Sequence, residues 1–177
     1  MDLKARTVAP DPYDLLPDVP SFILTSVDIS DGVGLPDDHV AAGANLSPAL
    51  KWSGFPADTK SFLVNCFDPD APTPAGYWHW TVVDLPATVT CLPRGVGQPG
   101  HANLPDGAFA LRNDSGDPGY LGAAPPPGDR PHRYIFAVHA LAGPSLGLTP
   151  AATCTTAAFT ALFSTIARAR LTALYQR

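Results

Sequence analysis

A chain of 177 residues with 45 % apolar and 15 % charged side chains is long enough to bury one sizeable core and gives no reason to expect two domains. Its formal charge of −5 and pI near 5.3 exclude the broad basic face that nucleic acid or an anionic membrane surface requires. Twenty-one prolines and fifteen glycines predict many turns and few long helices.

Cys66, Cys91 and Cys154 are odd in number and widely spaced, with no C-x-x-C pair. They read as reduced thiols of a cytoplasmic protein, not as a disulfide framework or a zinc site. The start, MDLKARTVAPDPYDLLPDVP, lacks the apolar region of a signal peptide, and no apolar run reaches membrane-spanning length. A cytoplasmic protein that is not an integral membrane protein is therefore expected.

Residues 1–20 read as an arm laid over a single domain at 21–177, with Tyr13, Leu15 and Leu16 as its anchors. Ser21–Val27 is the first strand, with Phe22 and Leu24 on one face and Ile23, Thr25 and Val27 on the other. Turn chemistry at Asp31–Asp38 and Asn45–Pro48 leads to a short strand at Ala49–Trp52, and Lys60–Phe67 is a buried strand. The next stretch, Asp68–Trp80 (DPDAPTPAGYWHW), packs three prolines among acids and aromatics, so it is neither a helix interior nor a central strand along its whole length. It is a stiff connection into a strand at Trp78–Leu85. Short strands at Val89–Leu92 and Ala108–Arg112 follow, with loop at Gly95–Pro105 between them.

Asn113–Arg130 is the longest irregular stretch, and its triple proline at Pro125–Pro127 favours an ordered, functional loop. It delivers the chain to a clear strand at His132–Leu141. Phe159, Leu162, Phe163 and Ile166 then fall on one helical face, with Thr153, Thr155 and Thr156 as cap candidates. The period returns to two through Tyr175. The expected fold is mainly β, with one helix within about residues 153–166 and a last strand after it.

Four histidines carry possible chemistry. His101 lies in a Gly/Pro loop without an acid nearby and reads as solvated; His139 is deep in a strand and reads as structural. His79 and His132 each follow a proline-rich loop at the start of a strand. If those strands share a sheet, both imidazoles meet near Asp68. One carboxylate and two imidazoles walled by aromatics and prolines have the general form of a small-molecule site. The same three side chains could also serve a mononuclear metalloenzyme, although no short H-x-D/E spacing supports a metal. There is no G-x-S-x-G and no serine within Asp68–Trp80 or Gly128–Tyr134, which argues against a hydrolase.

DPDAP at Asp68–Pro72 with Gly76 and His79-Trp80, followed by Gly128, Pro131 and His132-Arg133-Tyr134, resembles the two signature motifs of the phosphatidylethanolamine-binding protein family, in its bacterial and archaeal, Raf-kinase-inhibitor-like branch. NLSPALKWSG from Asn45, TKSF from Thr59, Arg112-Asn113-Asp114 and the tail from Ile166 to Tyr175 extend the similarity from about Ser21 to the C-terminus. The resemblance implies a Greek-key β-sandwich with a larger and a smaller sheet. It implies a cavity for anionic head groups, such as phosphate, phosphorylethanolamine or acetate, with no cofactor and no catalysis.

Residue by residue, the resemblance places Asp68, His79, His132 and Tyr134 in that pocket. Tyr77 falls where the family has a pocket tryptophan, and Pro125 and Pro126 fall at the rim. Ala124 stands where many bacterial relatives have a cysteine, which removes a thiol from the rim. Asp70 and Arg133 are the strand-opposite neighbours of pocket residues and are expected to pair beneath it. The resemblance further implies cis peptides at Ala71-Pro72 and Ala75-Gly76. It admits a protein kinase or protease as a partner inhibited through the surface, and a homodimer.

Overall fold

The computed structural model describes residues 3–98 and 103–177. The histidine at position 101 lies outside them. In chain order the elements are β1 (Ile23–Thr25), β2 (Leu50–Ser53), β3 (Ser61–Asp68), β4 (Tyr77–Pro86), β5 (Cys91–Leu92), β6 (Phe109–Ala110), β7 (His132–Leu141), α1 (Cys154–Leu162) and β8 (Thr165–Tyr175). They form a three-stranded sheet, β1-β2-β5, and a five-stranded sheet, β6-β4-β3-β7-β8, antiparallel throughout.

Alternation along the central strands decides what lies on each face of the large sheet. Phe62, Val64 and Cys66 of β3 and Tyr134, Phe136 and Val138 of β7 face inward. There they pack with Leu50, Trp52 and Leu92 of the small sheet into the main core. The intervening residues face outward and are also buried. Leu63, Val83 and Leu141 lie under Cys154, Ala157 and Ala161 of α1, and Ile135 and Ala137 lie under Tyr13 of the N-terminal arm. All eight residues of β3 are buried, because its sheet is covered on both sides.

The helix lies within the expected span of 153–166, and one of the three expected arm anchors is corrected. The helical period near the C-terminus is present, but its aromatic stripe faces solvent: Phe159 is 64 % and Phe163 77 % exposed, their rings edge-to-face 5.2 Å apart. The face turned to the sheet carries the small side chains Cys154, Ala157 and Ala161 instead. The helix ends at Leu162, before Ile166. Phe163 N and Ser164 N tighten onto carbonyls three residues back, and Thr165 already begins β8. At its start Thr153 caps, accepting from Thr156 N at 3.0 Å. In the arm, Tyr13 and Leu16 anchor, whereas Leu15 is 72 % exposed.

The arm itself is held by ionic and polar ties. Arg170 reaches Asp11 and Asp14, Arg133 Nη2 donates to Ala9 O, and Arg6 donates to Asp70 O and to the Asp129 carboxylate. Beyond β8, the segment that follows the arm runs along the strand's outer edge. Arg168 N donates to Pro20 O, Gly32 N to Thr172 O, Leu35 N to Leu174 O and Leu174 N to Val33 O.

Among the described residues no peptide bond is cis, so Ala71-Pro72 and Ala75-Gly76 are both trans. The chain reverses there at Gly76 instead, with φ of +67°, where an added Cβ would lie 2.3 Å from the Phe67 ring. Next to this loop, Asp70 and Arg133 form a bidentate pair. Arg133 Nε donates to Asp70 Oδ2 at 2.7 Å and Nη2 to Oδ1 at 2.8 Å, with the Arg133 amide adding a bond at 3.0 Å. Burial opposes the Asp70 charge, but Arg133 more than offsets it and holds the carboxyl below its ordinary pKa.

Arg133→Met would leave that carboxylate buried without its cation and should cost about 3 kcal/mol in urea denaturation at neutral pH. Because the Asp70 pKa is depressed in the folded state, the pair's contribution is present above the ordinary aspartate range and fades as pH falls through the folded pKa. The gap between wild type and Arg133→Met should therefore narrow in acid. A gap that is absent at pH near 7 would show that the pair does not stabilise the fold.

Candidate functional site

The site forms where β3 ends, β4 begins and β7 begins. β3 lies between the other two strands and runs antiparallel to both, so the three strand ends meet at one end of the large sheet. Asp68 closes β3 and is 2 % exposed. Its Oδ1 accepts from Asp70 N at 2.8 Å and Ala71 N at 3.0 Å, folding the proline-rich turn back on the strand. Its Oδ2 lies 2.7 Å from His132 Nδ1.

His132 is also bound on its far side: Nε2 lies 3.1 Å from Asp129 Oδ2. A neutral imidazole has one N–H, so two carboxylate partners are satisfied together when the ring is an imidazolium. Burial works against that charge, yet the hydrogen bonds and charges of Asp68 and then Asp129 prevail and raise the His132 pKa. Asp129 is lowered in turn: burial opposes its charge, and His132, the Arg130 amide and Arg6 outweigh burial.

His79 reaches the pocket through a β-bulge. In the β3–β4 register Cys66 faces Trp80 and Phe67 faces Trp78, so His79 is the extra residue between two pairs. Strict alternation would put His79 and Trp80 on opposite faces. The bulge lets Trp80 enter the main core while Tyr77 and His79 both line the pocket. The long loop after β6 then pins the bulge, with Leu121 N donating to His79 O at 2.9 Å and His79 Nδ1 lying 2.8 Å from Leu121 O. A carbonyl only accepts, so Nδ1 carries the proton and Nε2 is left with its lone pair. Burial lowers the His79 pKa below the ordinary imidazole value, with Leu121 and Asp68 pulling the other way.

Tyr134 follows two residues after His132 on the same face of β7. It is 1 % exposed, its ring meets His79 edge-to-face at 5.0 Å, and its hydroxyl makes no hydrogen bond of ordinary geometry. Burial pushes its pKa well above the usual phenol range. Tyr77 stands at the mouth, its ring 4.9 Å from His79 and its hydroxyl 2.7 Å from Ser115 Oγ. Pro125 and Pro126 also line the cavity.

Asp68, His79, His132, Tyr134, Tyr77, Pro125 and Pro126 thus surround one cavity of about 370 Å³, and the Asp70–Arg133 pair sits beside it. Sequence reasoning missed Asp129, Ser115, Leu121 and Arg6. Asp129 stands three residues before His132, but nothing local shows that the loop bends its carboxylate onto the ring. Leu121 acts through its backbone, which side-chain motifs cannot signal. Among the described residues, no group of three or more His, Cys or acidic side chains is placed to hold a metal ion. No described helix is long and apolar enough to cross a membrane.

The family profile described as phosphatidylethanolamine-binding protein matches residues 25–176. The Escherichia coli protein YbhB is 46 % identical over 157 residues, covering 86 % of this chain and 98 % of YbhB. Escherichia coli YbcL is 52 % identical over 126 residues, 68 % of this chain and 69 % of YbcL. The crystal structure of YbcL, described as a member of the mammalian PEBP family, superposes with a TM-score of 0.86 at 43 % identity over 89 % of this chain and 99 % of that one. A phosphatidylethanolamine-binding protein homologue from Chlamydia trachomatis gives 0.77 at 29 % identity, over 89 % and 98 % of the two chains. With the profile spanning both proline-rich loops and the strands they feed, this chain is a member of the phosphatidylethanolamine-binding protein family, of its bacterial and archaeal branch.

Proposed function

We propose that the chain is a binding protein for a small oxyanion, of the kind carried by phosphate and by phospholipid head groups, and that it does not turn its ligand over. The observation that carries this reading is the pair of unspent polar atoms in the cavity. Asp68 uses both oxygens and His132 both nitrogens within the protein. Tyr134 Oη, enclosed in the cavity wall near the Ala124 backbone, makes no hydrogen bond of ordinary geometry, and His79 Nε2 has no protein partner among the described residues. A phenol donates one hydrogen bond, and an imidazole becomes a second donor once protonated, so together they bracket an acceptor-rich group.

The acids beneath do not preclude an anion. With His132 protonated, the two carboxylates of Asp68 and Asp129 face two cations, His132 and Arg6. The floor is close to neutral, so selectivity rests with the two donors and the stiff proline walls, which lose little freedom on binding. The spent ligand set of Asp68 and His132 also favours binding over a metal-dependent reaction at this site. For a phosphorylethanolamine-like ligand, the ammonium would meet the Tyr77 ring at the mouth rather than the enclosed Asp68.

Sulfate, which keeps its charge across the range, isolates the protein's own proton. His79 is neutral above its lowered pKa, and binding an anion at Nε2 favours the protonated ring. Calorimetric affinity for sulfate should therefore rise as pH falls from about 8 to about 5.5, the imidazole range. His79→Gln should flatten that dependence. A profile that stays steep in His79→Gln would assign the proton elsewhere.

Tyr134→Phe keeps the ring and removes only the hydroxyl. It should weaken phosphate and phosphorylethanolamine alike by roughly tenfold or more, the worth of a hydrogen bond to a charged group. Unchanged affinity in both, measured on folded protein, would remove the site from this reading.

A further inference from the structure

The outer face of the large sheet holds a second cavity, separate from the pocket described above. It lies between the N-terminal arm, α1 and the strands β3, β4, β7 and β8, with a volume of about 180 Å³. Its walls are mainly apolar, with Leu16 from the arm, Phe67 and Trp78 from the sheet and Ala158 and Leu162 from α1, and Asn65 and His139 also line it. One charged side chain enters it. Arg168 of β8 is 8 % exposed, and among the described residues it has no carboxylate partner. The neighbouring Asp11 and Asp14 are turned to Arg170 instead.

The groups around Arg168 leave its charge unmatched. Its Nε donates to His139 Nδ1 at 3.4 Å, and its guanidinium lies 5.2 Å from the centre of the Tyr13 ring. Tyr13 Oη is 2.8 Å from the Asn65 amide, which lies 3.4 Å from His139 Nε2. His139 is neutral, because burial and then Arg168 bring its pKa down to about 3. Burial pushes the Tyr13 phenol far above neutrality, so it too stays uncharged. Arg170 also lies over the Tyr13 ring, at 5.6 Å, but is matched by Asp11; Arg168 is the charged side chain of the cavity lining, and its terminal guanidinium nitrogens donate to no described group. A buried cation is ordinarily paired, and a guanidinium presents parallel donors matched to a carboxylate.

We propose that this cavity is a second binding site, which takes a small carboxylate with an apolar body no larger than a single aromatic ring, its carboxylate seated on Arg168. The size follows from the volume: an apolar protein cavity of about 150 Å³ accommodates a benzene molecule. The charge follows from Arg168, and the apolar body from the aromatic and aliphatic walls. Tyr13 and Leu16 make the arm one wall of the site, so the ligand bridges arm and sheet. This site does not depend on the oxyanion reading of the first pocket.

Benzoate is the probe, with benzyl alcohol as the uncharged analogue of similar shape. Calorimetric titration of each is made on the wild-type chain and on Arg168→Gln, Ala158→Leu and His79→Ala, after circular dichroism has verified folding. Benzoate should bind the wild type at least about tenfold more tightly than benzyl alcohol, and Arg168→Gln should erase that preference. Ala158→Leu, which adds bulk from the half-buried α1 wall and leaves Arg168 in place, should abolish benzoate binding. In His79→Ala, which strips the first pocket of its imidazole, benzoate binding should persist. The proposal is overturned if the wild type does not bind benzoate, if the alcohol binds as well, if Ala158→Leu binds benzoate undiminished, or if binding disappears with His79. Should Arg168→Gln fail to fold, the analogue comparison and Ala158→Leu still decide.

Discussion

One carboxylate joins the two loops of the first pocket. Asp68 stands at the last position of β3, and its two oxygens have different tasks. One receives two backbone amides and turns the chain into the proline-rich connection. The other fixes the ring of His132 at the first position of β7. Because β3 lies between β4 and β7, this residue sets the spacing of everything around the cavity. It is enclosed because its bonds satisfy it; an aspartate this deep would otherwise be costly.

The neighbours extend the same arrangement. His132 passes from Asp68 to Asp129, and Asp129 meets Arg6 of the arm. The adjacent Arg133 points to the other side and clamps Asp70, while its second nitrogen holds the arm at Ala9. The start of the chain is therefore tied to both loops by charge-assisted bonds. Alternation on one strand separates the two chemistries: His132 and Tyr134 serve the inner pocket, while His139 belongs to the outer cluster with Arg168.

The elements were legible where hydrophobic period and breakers agreed. His132–Leu141 is β7 to the residue, and β3 and β4 differ from their expected bounds by a residue or so at either end. The motifs carried the site's side chains, since two proline-rich loops ending in histidine are visible without coordinates. Three features were not legible, each because it depends on another segment. The extra residue at His79 is defined by its pairing with Cys66 and Phe67. The inward face of α1 is chosen by its packing on the sheet, where Ala157 and Ala161 are buried while Phe159 is turned outward. Arg168 reads as the polar half of an alternating strand, yet the arm covers it, and nothing near residue 168 announces that Tyr13 will lie upon it.

The chain running beside β8 has a bearing on how this molecule meets copies of itself. A strand at the end of a sheet is normally an open template for another strand. Here the outer rim of β8 is taken up at Arg168, Thr172 and Leu174 by backbone bonds from the segment around Pro20 and residues 32–35. At the opposite end, β6 offers only Phe109 and Ala110. Neither margin of the large sheet gives a neighbour the long ladder from which a continuous intermolecular sheet grows. Self-association through the large sheet is thereby steered toward side-chain surfaces, which can close into a finite assembly, and away from the open-ended strand addition of fibres.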